Sequence, residues 1–220
     1  MKKKAVLVSL AIALLVAAAI GGTYASFNTE SQNPGEATIN LNDMKVALAA
    51  KPGEENKKTI PEFALPGQKV ELPGYTVKND LRENAYDIYT RVIIDKQWTG
   101  DYKDSLNADM IRLLKDGKDL EENVGEIIDG WLIQSADAEQ IVLYYTGKLS
   151  PEAETTTFLD EIDFDKTMDN AYADKQVNIN ITVCAVQATA DSTVSQKAMF
   201  AEWGMYPVFD ENGNITGIEE

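Results

Sequence analysis

Apolar and polar residues alternate with a period of two in several runs of this chain, the signature of strands with one buried face. The clearest run is AYDIYTRVIIDKQW, residues 85–98. Tyr86, Ile88, Thr90, Val92 and Ile94 fall on one face, with Asp87, Tyr89, Arg91 and Ile93 opposite. Its β-branched and aromatic content suits a pleated surface. VNINITVCAVQAT, residues 177–189, repeats the pattern and directs Val177, Ile179, Ile181, Val183 and Ala185 to a core. WLIQ and QIVLYYTGKL predict a hairpin across SADAE, and YPVFDENGNITGI predicts another turning at Asn212-Gly213. In ATINLNDMKVAL, Ile39 and Leu41 share one phase while Met44, Val46 and Leu48 share the next, so the stretch is a bulged strand or two short ones. Pro66-Gly67 and Pro73-Gly74 mark chain reversals.

Helical spacing appears in DSLNADMIRLLKD, residues 104–116, where Leu106, Met110, Leu113 and Leu114 precede Gly117, predicting a helix. A short helix is expected at 165–174, and a short helical or irregular piece through Trp203. Many short strands separated by turn residues predict a mostly β, antiparallel sandwich with one or two short helices in its connections. No internal repeat of fixed period is present.

The N-terminus breaks the pattern. Lys2 to Lys4 precede sixteen residues, Ala5 to Ile20, that are apolar except for Ser9, followed by Gly21, Gly22, Thr23, Tyr24 and Ala25, with small residues at 23 and 25. That layout is a secretory signal, with cleavage expected between Ala25 and Ser26. The apolar run is shorter than the roughly 18–20 residues of a spanning helix; an uncleaved leader is the one route to a membrane. Residues 26–36 are polar apart from Phe27 and form a flexible arm, leaving 37–220 as one β-sandwich domain.

Charge narrows the partners. Loss of Lys2, Lys3 and Lys4 from 20 basic residues, against an unchanged 36 acidic ones, takes the net charge from −16 to −19. Nucleic acid and anionic membranes repel such a chain, and salt, divalent cations or acid favour its self-association. The single cysteine, Cys184, excludes an intramolecular disulfide; within its apolar run it is a small buried hydrophobe with no cationic residue beside it in sequence. The absence of histidine removes every Ser-His or Cys-His nucleophile and the commonest metal ligand.

GGTYASFN after the apolar leader, Ala64-Leu65-Pro66-Gly67-Gln68, ENAYDIYTRVIID, YTGKLSPEAETTTFLDEIDFD and NINITVCAVQAT together resemble the TasA/camelysin family. The resemblance implies a jelly-roll-like β-sandwich, secretion by a Gram-positive bacterium after processing by a SipW-type signal peptidase, and assembly into extracellular biofilm matrix fibres. It also implies donor-strand exchange, in which the arm of one subunit completes a sheet of the next, with or without an accessory matrix protein. The donor would then run from Ser26 to about Leu41, with Phe27, Ile39 and Leu41 as apolar anchors. Contacts of that head-to-tail kind do not close and so generate filaments.

Camelysin-type relatives raise a metalloprotease reading, yet this chain has no His-Glu-x-x-His, and carboxylates plus Cys184 are a poor zinc set. A monomeric adhesion or binding sandwich is the other alternative. No catalytic residue and no cofactor is assigned. Asp160, Glu161, Asp163, Asp165 and Asp169 faintly resemble a calcium loop, with Asp160, Asp163 and Asp165 as weak ligand candidates, but the required glycine is missing and a solvated edge explains them. Asp210 to Asn214 reads as a hairpin turn. Asn180 and Asn214 begin glycosylation-type triplets, and Trp98, Trp131 and Trp203 are expected as core or interface anchors.

Overall fold

The two strongest alternating runs pair with each other. They become β4 (Ile88–Thr99) and β11 (Gln176–Gln187), antiparallel in unbroken register from Gln176↔Thr99 to Gln187↔Ile88. The computed structural model describes residues 37–41, 44–50, 65–81, 85–99, 105–173 and 175–219. The expected leader, the Ala25-Ser26 cleavage point and the arm with Phe27 lie outside the described residues.

The remaining strands are β1 (Ala37–Leu41), β2 (Met44–Ala50), β3 (Lys69–Asn79), β5 (Ile111–Lys115), β6 (Lys118–Asp119), β7 (Ile127–Ile128), β8 (Trp131–Ala136), β9 (Gln140–Tyr145), β10 (Leu159–Phe164), β12 (Tyr206–Phe209) and β13 (Ile215–Glu219). Six form a sheet in the order β1-β2-β3-β10-β5-β6, and five a second sheet in the order β11-β4-β9-β8-β7. All pairings are antiparallel. Val70, Leu72, Val77, Ile111, Leu113, Ile162 and Phe164 of the first sheet meet Val92, Ile94, Trp98, Ile133, Ile141, Leu143 and Val183 of the second in one buried cluster. The result is the sandwich-like, mostly β arrangement that the alternation predicts.

The five-stranded sheet is buried on its other face as well. Helix α1 (Ser192–Trp203) and the β12-β13 ribbon cover Tyr89, Leu132, Tyr144, Cys184 and Val186 with Met199, Trp203, Met205 and Ile215. Asp191 caps α1 by accepting from the Thr193 N–H, and Gly204 ends it in a left-handed conformation at φ 69°. Double burial explains why QIVLYY is nearly continuous in apolar residues.

Three expectations fail, for identifiable reasons. Pro73-Gly74 does not reverse the chain but lies inside β3, where Gly74 takes φ 71° without ending the strand. Residues 104–116 are not a helix: a 3-10 turn at Ala108–Met110 leads straight into β5. The spacing of Leu106, Met110, Leu113 and Leu114 fits a helix, but Ile111 and Leu113 enter the inter-sheet core while Leu114 is buried too, beside Glu161 of β10. A strand buried on both faces loses its period of two. Gly117 then belongs to a two-residue turn with Asp116, at φ 74° and 51°, joining β5 to β6.

The acidic stretch is likewise not a solvated edge. Leu159–Phe164 lies inside the six-stranded sheet, between β3 and β5. A register shift between Leu159 and Glu161 lets Leu159, Ile162 and Phe164 all reach the core despite their odd spacing. The piece at 165–174 contracts to a 3-10 turn at Asn170–Tyr172 capped by Asp169.

Candidate functional site

The candidate surface is the flank where β1 ends one sheet and β11 ends the other. β1 is the outermost strand of the six-stranded sheet, and among the described residues it pairs only with β2, from Ala37↔Leu48 to Leu41↔Met44. Ile39 stands opposite Val46 and Leu41 opposite Met44, so in a single chain the second half of the candidate donor is already held by its own sheet. β11, twelve residues long, ends the other sheet, and β2 packs near it. Two sheet edges therefore lie on one flank. Such edges present unpaired N–H and C=O groups to any strand that can align with them. The sequence marked 37–48 as strand, but it carried no sign that β11 would be terminal.

The acidic candidates are divided among several partners, two of them sharing one. Asp163 receives Arg112 at 2.8 Å, with Asp165 at 3.9 Å from the same guanidinium. Hydrogen bonds from the hydroxyl and backbone N–H of Thr167 hold the Asp165 carboxyl below its usual range. Glu161 pairs with Lys69 at 2.6 Å, and Asp169 accepts from the Ala171 N–H at 2.8 Å. Asp160 sits at the bulge and accepts from the Asp116 N–H at 3.1 Å. Among the described residues no three His, Cys, Asp or Glu side chains form a group that could hold a metal ion. Asp160, Asp163 and Asp165 thus do not form one ligand set: Asp163 and Asp165 share the Arg112 guanidinium, while Asp160, at the bulge, turns to Asp116 and Lys115. Asp210 closes its own turn, accepting from the Asn212 and Asn214 N–H groups at 2.8 Å, and the Asn214 bonds hold it below the usual carboxylate range.

Two buried lysines were invisible in the sequence. Lys115, at the end of β5, reaches Asp116 at 2.6 Å and Asp129 and Asp160 at 3.6 Å. Burial lowers its pKa, but the Asp116 hydrogen bond and the surrounding carboxylates outweigh that and hold it above the ordinary value. Asp116 and Asp129 both open Asp-Gly turns with positive φ, so two tight hairpins deliver both carboxylates to one amine. Lys96 lies wholly inside the inter-sheet core and donates to the Ile111 carbonyl and to Glu121.

Cys184 is fully buried, as its run predicts, yet β-pairing sets Arg91 directly opposite. The guanidinium donates to the sulfur at 3.6 Å and lies 5.3 Å from the centre of the Trp203 ring. Trp98, Trp131 and Trp203 are all buried. Asn180 lies in β11, and Asn214 is bound into the Asp210 turn. No protein-family model, curated protein or solved structure matches this chain.

Proposed function

We propose that this chain is a secreted, non-enzymatic structural protein that polymerises head to tail by strand exchange into extracellular matrix fibres. The observation that carries the reading is the flank itself: β1 ends one sheet, β11 ends the other, and the arm 26–36 joins the chain at the outermost strand. That arm, about 36 Å when fully extended, nearly matches the length of the β11 edge. Laid along a neighbour's flank it would satisfy unpaired backbone groups while Phe27 fills an apolar recess.

Assembly is then coupled to export, since a leader removed between Ala25 and Ser26 frees the arm only outside the cell. Partners are further copies of the chain and the processing peptidase. Strand exchange needs a cost-neutral step: β1 either stays on β2 while 26–36 is donated, or swaps its β2 partner for the equivalent strand of the next subunit.

Electron microscopy of protein beginning at Ser26, compared with protein beginning at Ala37, tests the reading. Fibres from the first and dispersed subunits from the second are expected. Equal polymerisation rates for the two would show that the arm does not donate.

A further inference from the structure

The inter-sheet core contains an amine in direct contact with a carboxyl group. Lys96 shares the inward face of β4 with Ile94 and Trp98, and its side chain is fully closed to solvent. Glu121 follows β6 at the far edge of the opposite sheet, and its side chain is 19% exposed. Of the three N–H bonds on Nζ, one is directed to the Ile111 carbonyl and one to Glu121 Oε1. The Glu121 backbone is fixed in turn by its N–H, which donates to Asp119 at 2.9 Å. Burial pushes the Glu121 carboxyl above its ordinary value, more than the hydrogen bond and charge of Lys96 pull it down, and Asp119 and Asp109 add to the rise. A separated charge pair is costly in such surroundings, and a neutral product from the same two groups is not.

We propose that Lys96 and Glu121 are a self-condensing pair, joined in the mature protein by an isopeptide amide between Lys96 Nζ and Glu121 Cδ. A proton passes from the ammonium to the carboxylate across their contact, leaving a neutral amine beside a neutral carboxylic acid. The amine lone pair attacks Cδ, the Nζ–Cδ bond forms, and the Cδ–OH bond breaks. The departing hydroxyl takes a proton from nitrogen and leaves as water, with no change of oxidation state. The Ile111 carbonyl engages one N–H and so turns the lone pair toward Glu121. Fixing both partners in the folded core supplies the effective concentration that free amine and acid lack in water. The amide ties β4 of one sheet to the β6 end of the other. It gives a chain with a single cysteine the covalent link between sheets that it cannot obtain from a disulfide.

Intact-mass measurement on the full secreted chain, with its N-terminus read by sequencing, tests this on dispersed subunits, so the result is independent of fibre formation. The protein is expected to be lighter than its sequence by one water, and digestion is expected to yield a branched peptide joining the Lys96 and Glu121 segments. Lys96→Arg, which keeps the charge but cannot condense, is expected at full sequence mass. Wild-type protein at full sequence mass overturns the proposal. So does a water loss that maps to an Asp-Gly succinimide at Asp116 or Asp129.

Discussion

Met199→Ala is the sharpest probe of how the C-terminal lobe is attached. Met199, on the inner face of α1, is fully buried in the cluster that also encloses Cys184. Truncating a buried methionine to alanine costs about 2–5 kcal/mol, the transfer term plus the cavity left behind. The loss falls on the contact between lobe and sheet, so it lowers the free energy of lifting α1 and the ribbon away from β4, β9 and β11. Cys184 is the only cysteine, and a thiol reagent reaches it only when that lid opens. In the regime where opening is a rapid pre-equilibrium, the labelling rate should rise roughly 30-fold to a few thousandfold. The control is Ile162→Ala, which makes a comparable cavity between the two sheets. It should lower the urea midpoint of global unfolding while leaving the labelling rate near wild type. If both variants accelerate labelling equally, the lobe does not open as a unit and the sandwich unfolds as one piece. If wild-type Cys184 reacts at the rate of an exposed thiol, the lid is not closed in solution.

Gly130→Ala should destabilise more than Gly117→Ala. Both residues have positive φ, costing about 1–2 kcal/mol for a side chain, but only at Gly130 would the new Cβ meet a ring carbon, that of Tyr145 at 3.2 Å; urea midpoints rank the two. Stability should fall at both pH extremes. Asp165 and Asp210 are depressed in the fold, so their contribution is present above the ordinary carboxylate value and lost as pH falls through their folded values. Lys115 is raised, and Tyr75 is pushed by burial up to about 12, so their contributions are complete below their unfolded values near about 10 and lost as pH rises through the folded ones. Tyr75→Phe and Lys115→Met should each flatten the alkaline limb of a urea-midpoint titration, and an unchanged limb would refute the assignment. Because every copy carries a net charge of −16 or more negative, light scattering should show assembly accelerating with added salt; slowing would mean that attraction between charges drives it.

What the sequence determined by itself was local. Alternation at 85–98 and 177–189 specified β4 and β11, because side-chain direction in a strand follows from residue parity alone. Asn212-Gly213 and the SADAE segment located their hairpins for the same short-range reason. The apolar run Ala5 to Ile20, the net charge and the absence of histidine and of a second cysteine are also properties of the chain before it folds. Tertiary structure decided everything that depends on what lies on the far side of a strand. Whether IRLLK is helix or strand, and whether LDEIDF is surface or interior, was settled by layers supplied from elsewhere in the chain. The same holds for the charged groups. Lys96 and Glu121, like Lys115 and Asp129, are brought together only when two sheets close on one another, and no pattern confined to neighbouring residues encodes that closure.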